Sequence, residues 1–249
     1  MKAVSSILNT LGSYVLMLKN MFAKPDNRRV YRKQFFEQAK FIGFDSLVLI
    51  SVISLFLGMV MTMQVAYMLS NPIVPRSVIA TVVRDTMLLE ISPTGVGAIL
   101  ACVIGFKVTS EIGYMRLYEQ IDALEMMGVQ SLNYIVLPRI AATMLTVPCL
   151  IIISLTLSMF GGYAVALFST SVPKDYYLTG LTTNFKSFEV AVAAVKTVTF
   201  SFVISSVACY MGYYFKGSSY DLSRTATKSV VVNCLVILTL DYLISSLML

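Results

Sequence analysis

The sequence predicts an all-α integral membrane protein with about five transmembrane helices, an amphipathic interfacial helix at its N-terminus and a short cytoplasmic helix in one loop. Of its 249 residues, 57% are hydrophobic and only 13% are charged, whereas soluble domains carry about 25% charged residues. Apolar stretches long enough to cross a bilayer recur along the chain, and basic residues concentrate outside them. This composition excludes an ordinary soluble core.

Five apolar stretches have the length of a membrane span, since about 20 residues rising about 1.5 Å each cross about 30 Å of hydrocarbon. The predicted spans are 46–69, 87–106, 140–170, 190–215 and 229–249. Together they form a transmembrane domain, 45–249, which follows an N-terminal cytoplasmic and interfacial region, 1–44. Because the third span exceeds the length of one tilted helix, Gly161 and Gly162 leave open a span followed by a short re-entrant piece.

The N-terminal region is expected to contain a helix that lies in the membrane interface. Its apolar residues recur at helical spacing, while Lys2, Asn9 and Lys19 fall elsewhere on the helical wheel. The apolar positions are Val4, Ile7, Leu8, Leu11, Val15, Leu18 and Phe22. The Pro-Asp-Asn segment 25–27 would end this helix. The alternative is an additional spanning helix, and Asn9 and Lys19 weigh against it.

The distribution of charge predicts the orientation of the chain. The formal net charge is +6, and basic residues outnumber acidic ones in the segment 1–44. The excess of positive charge on cytoplasmic segments places the N-terminus in the cytoplasm and, after five crossings, the C-terminus on the opposite side of the membrane. Anionic lipid at the inner leaflet accounts for these basic residues, so we expect no nucleic-acid partner.

The loop between the second and third spans is expected to contain a short acidic helix, 118–129. Ile121 and Leu124 lie together on its helical wheel, and Gly128 suits the left-handed position that ends a helix. The carboxylates are Glu119, Asp122 and Glu125. Because carboxylates repel an anionic membrane surface, we expect this helix to face a protein partner.

The composition also argues against catalysis by this chain. It contains no histidine, which removes most general-base, triad and metal sites, and it has no G-x-x-x-x-G-K-[ST] phosphate loop. We therefore expect no metal, no cofactor and no enzymatic activity in this chain. Cys102, Cys149, Cys209 and Cys234 lie in apolar spans without a C-x-x-C pair and are expected to be buried.

Three ionisable residues fall inside predicted spans, namely Glu90, Lys196 and Asp241. A charge in hydrocarbon costs at least a few kcal/mol unless it is paired or hydrated. The predicted topology places all three in the outer half of the membrane, with Lys196 and Asp241 within about one helical turn in depth. Two interpretations remain open: an inert ion pair between spans, or a polar lining of a cavity that receives a charged headgroup.

Close helix packing is predicted from small residues on the second span. Gly97, Ala101 and Gly105 recur every four residues, a pattern that lets helices approach closely within one subunit or across a dimer. Pro93 is expected to kink this span near Glu90, and Pro138 and Pro148 are expected to kink the third.

Four motifs surround these ionisable and acidic residues. They are Glu90-Ile-Ser-Pro-Thr, Glu111-Ile-Gly-Tyr-Met-Arg116, Glu119-Gln-Ile-Asp-Ala-Leu-Glu-Met-Met-Gly-Val129 and Leu137-Pro-Arg139. Together they resemble the permease subunit of MlaE (YrbE)-type ABC systems, which maintain the lipid asymmetry of the outer membrane. Leu89 stands where members often have a basic residue, which removes one candidate partner for Glu90.

The resemblance implies a homodimer of five-span permeases in the bacterial inner membrane. It also implies a cytoplasmic ABC ATPase that binds ATP, a periplasmic MCE-domain partner, and phospholipid as the substrate. The acidic helix would be the coupling helix that docks in the ATPase. The residues implied in this docking are Glu119, Gln120, Asp122, Glu125 and Gly128. Glu90, Lys196 and Asp241 would line the substrate cavity, because the family places membrane-embedded polar residues at these positions.

Two other functions remain open on the sequence. A proton-coupled secondary transporter would use Asp241 or Glu90 as its proton site and would work without a partner ATPase. A membrane scaffold for periplasmic proteins would tolerate loss of Lys196 and Asp241 as long as it assembled.

Overall fold

A computed structural model describes residues 2–21, 28–69, 75, 77–168, 174–183 and 185–248. All regular secondary structure in these ranges is helical. The α-helices are α1 (Lys2–Met21), α2 (Arg28–Met68), α3 (Ser77–Thr86), α4 (Gly97–Leu117), α5 (Gln120–Met126), α6 (Leu137–Phe168), α7 (Lys174–Thr182), α8 (Ser187–Tyr213) and α9 (Ser219–Met248). Two π-helical segments, Met87–Val96 and Leu132–Val136, lead into α4 and α6.

Five helices are long and apolar enough to cross a membrane, which confirms the predicted number of spans. They are Arg29–Met68, Ser77–Leu117, Leu132–Phe168, Ser187–Tyr213 and Ser219–Met248. Each begins before its apolar stretch, because helical hydrogen bonding continues into polar sequence at the membrane boundary. The third runs without a break through Gly161 and Gly162, so it is one helix and not a span with a re-entrant piece.

The expected N-terminal helix is present as α1. Met17 and Met21 are buried, whereas Leu8 and Val15 on other faces are exposed. The Tyr14 hydroxyl shares a 2.7 Å hydrogen bond with Ser206, and its ring packs edge-on against Tyr210 of α8. Among its described residues, this helix packs against α8 and against the segment Leu132–Val136. The segment 25–27, which we expected to end it, lies outside the described residues.

The chain separates into two compact units, and each of the five spanning helices contributes to both. Unit 1 comprises Met1–Ile42, Leu100–Thr146 and Ser201–Val236. Unit 2 comprises Gly43–Ile99, Val147–Phe200 and Ile237–Leu249.

In unit 2, α2 and α6 pack with their backbones in direct contact. A Cβ atom built on Gly58 would lie 1.9 Å from the Ser158 carbonyl oxygen, and one on Gly161 would lie 2.2 Å from the Leu55 carbonyl oxygen. Small residues at such crossings let spanning helices approach closely, which is the main attraction available between helices in lipid. Beside them, the buried Ser54 hydroxyl donates to Ser154 at 2.8 Å.

Unit 2 also joins α3 to α7 through a buried arginine. Arg84 is only 5% exposed, and its Nη1 donates to the carbonyl oxygens of Leu181 and Thr183 at 2.9 and 2.7 Å. Its Nη2 lies 2.8 Å from Asp85 Oδ1. These bonds satisfy carbonyl groups at the C-terminal end of α7, where a cation is favoured. Sequence reasoning missed Arg84, which stands just before the predicted second span.

The small residues of the second span make their contacts within this chain. In unit 2, a Cβ on Gly97 would touch the Phe200 ring at 3.5 Å, and in unit 1 one on Gly105 would lie 3.0 Å from Asn233 Nδ2. Ala101 is fully buried. The pattern therefore marks intrasubunit packing of α4 against α8 and α9.

The expectation that all four cysteines are buried was wrong for two of them. Cys209 is buried and Cys234 is partly buried, whereas Cys102 and Cys149 are exposed. Cys102 Sγ lies 3.8 Å from Cys234 Sγ. A thiol is a small, weakly polar side chain, so lipid at the surface of a spanning helix would accommodate it as well as a protein core does.

We expect Gly161→Ala to destabilise the fold, because the added methyl group overlaps the backbone of α2 and forces the two helices apart. The expected loss is about 1–3 kcal/mol, seen as a lower melting temperature in detergent. Gly12→Ala is the matched control, since a Cβ there meets nothing within 4 Å. An unchanged melting temperature for Gly161→Ala would contradict the close approach of α2 and α6.

Candidate functional site

Unit 2 contains an ion cluster within the spanning helices, formed by Glu90, Lys196 and Asp241. Glu90 lies in the π-helical segment Met87–Val96, which also contains Pro93. Proline has no N–H to donate, so the helix accommodates it through a changed hydrogen-bonding register. The π-helical register also changes which way Glu90 points relative to a regular α-helix.

The Lys196 ammonium is at the centre of the cluster. Lys196 is fully buried, and its Nζ lies 2.8 Å from Asp241 Oδ1 and 3.1 Å from Glu90 Oε1. It also donates to the Leu89 carbonyl oxygen at 3.0 Å. An ammonium has three N–H donors, and these three acceptors satisfy all of them. The expected pair of Lys196 and Asp241 is therefore present, with Glu90 as a third member.

The two carboxylates of the ion cluster are held differently. The Asp241 side chain is 15% exposed and that of Glu90 is 46% exposed. Asp241 Oδ1 also accepts a 2.8 Å hydrogen bond from the Thr94 hydroxyl. Two carboxyl groups therefore share one ammonium. Glu90 is the more accessible and less constrained acid.

The acidic helix of the loop is shorter than the predicted segment 118–129, because α5 covers only Gln120–Met126. Glu119 adopts a left-handed backbone conformation, with φ +55°, which separates α5 from α4. Gly128 has φ +77°, as expected for a left-handed helix end. The Val129 N–H donates to Leu124 O and the Gly128 N–H to Glu125 O, which is the Schellman pattern of helix termination.

Two of the predicted coupling carboxylates bind this chain's own residues in unit 1. Asp122 Oδ1 lies 2.6 Å from Arg116 Nη1 on α4. Glu125 Oε1 accepts hydrogen bonds from the hydroxyls of Ser131 at 2.6 Å and Tyr213 at 3.0 Å. These side chains therefore tie α5 to α4, to the start of the next helical segment and to α8.

The hydrogen bonds from Ser131 and Tyr213 hold the pKa of the Glu125 carboxyl below its ordinary value, with a smaller contribution from the charge of Arg116. Because the pKa of Glu125 is lower in the folded state, the stability that these hydrogen bonds contribute is fully present at a pH above the ordinary carboxyl range. It is lost as the pH falls through the lowered pKa. At neutral pH the loop is held in place.

The remaining residues of the loop present an uncovered surface. Tyr118, Met126 and Met127 are 69%, 90% and 69% exposed, and Glu119 and Gln120 are exposed beside them. Ile121, by contrast, is fully buried and anchors α5 to unit 1. The loop therefore combines a fixed inner side with an outer side of large apolar and acidic groups.

Known proteins are similar to this chain in the regions of both the ion cluster and the α5 loop. The family described as permease MlaE matches residues 35–247, which contain the ion cluster and the whole loop. The chain belongs to the MlaE permease family. A probable ABC transporter permease protein of Rickettsia bellii is 34% identical over 218 residues, covering 88% of this chain and 84% of the relative. One of the same description from Rickettsia felis is 33% identical over 246 residues, covering 99% and 95%.

A third MlaE-family relative is the intermembrane phospholipid transport system permease protein MlaE of Haemophilus influenzae. It is 27% identical over 249 residues, which cover 99% of this chain and 95% of that protein. The family resemblance inferred from the motifs is thus confirmed along nearly the whole chain. Within the part of the chain that the structure describes, no group of three His, Cys, Asp or Glu residues is placed to hold a metal ion.

We expect Lys196→Met to destabilise the protein by about 3–5 kcal/mol, because it leaves two carboxylates in the membrane without their counter-charge. The triple variant Glu90→Gln/Lys196→Met/Asp241→Asn should recover most of this loss, since no unpaired charge remains. Melting temperatures in detergent measure both changes.

The matched control is Lys33→Met, which removes a lysine from an exposed pair with Glu37 at 3.9 Å. Such pairs contribute at most about 1 kcal/mol. Equal losses in Lys196→Met and Lys33→Met would show that the ion cluster does not stabilise the fold.

Proposed function

We propose that this chain is the non-catalytic transmembrane subunit of an ABC transporter that moves phospholipid between the bacterial inner membrane and a periplasmic MCE-domain protein. The observation that carries the proposal is the ion cluster of Glu90, Lys196 and Asp241 inside the spanning helices of an MlaE-family chain. Ionisable groups inside a membrane mark substrate or ion pathways by default, because they are costly to keep there. The name of the Haemophilus influenzae relative supports phospholipid as the substrate.

In this proposal the ion cluster receives the lipid headgroup. All three donors of Lys196 are already engaged, so a headgroup phosphate reaches the ammonium only by displacing one of its partners. Glu90 is the partner that yields, because it is the most exposed acid, whereas Asp241 is also held by Thr94. The displaced Glu90 carboxylate then accepts from headgroup amines or hydroxyls. The lipid tails remain against the apolar faces of the spans.

Energy comes from a separate ATPase that docks on α5. The exposed surface of Met126, Met127 and Tyr118 supports this role, because large apolar side chains outside the membrane mark a protein interface. Glu119 and Gln120 contribute the polar rim. Asp122 and Glu125 hold α5 in place, as their bonds to Arg116 and Ser131 indicate.

The assembly is proposed to be a homodimer, with the N-terminus in the cytoplasm and the C-terminus in the periplasm. This orientation puts α5 on the cytoplasmic side, as an ATPase requires, and follows from the excess of basic residues on the same side.

A proton-coupled secondary transporter is the second candidate, favoured by the partly exposed Glu90 carboxylate in a spanning helix. The two functions are separated by reconstituting the chain in liposomes with a fluorescent phospholipid, with and without the ATPase and the MCE-domain partner. We expect lipid transfer to need ATP and both partners. Transfer by this chain alone, driven by a proton gradient, would support the secondary transporter and reject the ABC mechanism.

Replacing Met126 and Met127 by serine should weaken binding of the ATPase at least about tenfold, because buried anchor residues each contribute about 1–2 kcal/mol at an interface. Folding should be unaffected, since both side chains are exposed in this chain. Phe168→Ser is the control, because Phe168 is 92% exposed at the other end of α6. Undiminished ATPase binding by the double variant, measured by co-purification and titration, would remove α5 as the docking site.

A further inference from the structure

Unit 1 contains a second, largely buried ion pair that links two spanning helices on either side of the α5 loop. Arg139 Nη2, on α6, lies 2.7 Å from Glu111 Oε1, on α4. The Arg139 side chain is 6% exposed and that of Glu111 is 35% exposed. Gln38 of α2 donates to the same Glu111 oxygen at 3.2 Å. The pair therefore holds three helices together at one point.

The Arg139 guanidinium is fixed in direction by its other contacts. Its Nη1 donates to the Ile135 carbonyl oxygen at 3.0 Å, within the π-helical segment Leu132–Val136. Its Nη2 also lies 3.7 Å from Met115 Sδ on α4. A planar guanidinium with several directed donors holds a fixed geometry better than a flexible ammonium. Arg139 therefore connects α4 both to α6 and to the segment that leads out of the loop.

The ion pair of Glu111 and Arg139 joins the two helices between which the α5 loop runs, so it affects how a displacement of α5 is passed to them. The chain enters the loop from α4, whose Arg116 binds Asp122, and leaves it near Ser131, which binds Glu125. A force on α5 thus reaches α4 and the start of α6 by separate routes. A link between α4 and α6 makes these two helices respond together, and the ion pair of Glu111 with Arg139 supplies a charged one.

We propose that Glu111 and Arg139 form a positioning brace that makes α4 and α6 move together when the ATPase displaces α5. The inference rests on the proposed function, because it assumes that an ATPase acts on α5. The brace touches neither lipid nor nucleotide. Its effect is on coupling: without it, the ATPase still binds and hydrolyses ATP, but the displacement of α5 moves α4 and α6 separately and less lipid is transferred for each ATP consumed.

The test measures lipid transferred per ATP hydrolysed, with the full chain, its ATPase and its MCE-domain partner in liposomes. The first variant is Glu111→Gln, which removes the charge and keeps the shape. The second is Glu111→Gln/Arg139→Met, which removes both charges and so leaves no unpaired buried ion. Glu37→Gln is the matched control, because Glu37 pairs with Lys33 at 3.9 Å on the exposed face of α2.

We expect both brace variants to lower the ratio of lipid to ATP at least about fivefold, at the lower end of measured coupling between sites. ATPase binding and hydrolysis should stay within about twofold of wild type, and Glu37→Gln should behave as wild type. A structural role alone would lower transfer and hydrolysis together and leave their ratio unchanged, which would overturn the brace.

If the double variant does not fold, the ratio in Glu111→Gln decides the outcome, and an unchanged ratio there overturns the proposal. Failure of the proposed function is seen separately, because the wild-type chain itself would then transfer no lipid in response to ATP.

Discussion

Hydrocarbon offers no hydrogen-bond partner, and this constraint decides how the polar residues of the spanning helices are arranged. A donor or acceptor placed there without a partner costs free energy. Lys196 meets the constraint by giving one N–H to each of Asp241, Glu90 and the Leu89 carbonyl group. Ser54 and Ser154 meet it by bonding to each other. In these two sets the partners come from different helices, whereas hydroxyls such as that of Thr62 donate to a carbonyl oxygen one turn earlier in their own helix.

The sequence predicted features that depend on local pattern. Five spans follow from the length and hydropathy of apolar stretches, and the left-handed Gly128 follows from its place after an amphipathic helix. Lys196 and Asp241 were predicted to lie at similar depths in the membrane and so to pair, because the position of a residue along a regular helix gives its depth directly. Glu90 was not predicted to pair with them. Glu90 lies in a π-helical segment, and the changed turn of such a segment leaves no clear trace in hydropathy.

The partners of the loop carboxylates could not be predicted from the sequence. On the helical wheel the three carboxylates of the loop fall on neighbouring positions, and residue spacing does not tell which of them has a partner within the chain. The structure separates them, because Arg116 and Tyr213 reach Asp122 and Glu125 from other helices. The acids that looked most suited to a partner protein are thus partly engaged in holding α5, and Met126 and Met127 are left as its uncovered surface.

The two buried cations of α6 and α8 illustrate how side-chain chemistry suits different tasks. Arg139 presents a rigid plane whose donors reach a carboxylate and a backbone carbonyl group in fixed directions, so a change of partner would require the whole guanidinium to turn. Lys196 carries a compact charge on a flexible stem, with donors that rotate freely to new acceptors. A lysine can exchange Glu90 for another anionic oxygen without leaving its position, whereas an arginine held at several points resists such exchange. The protein has the lysine beside the partly exposed Glu90 carboxylate and the arginine between the helices that flank the α5 loop.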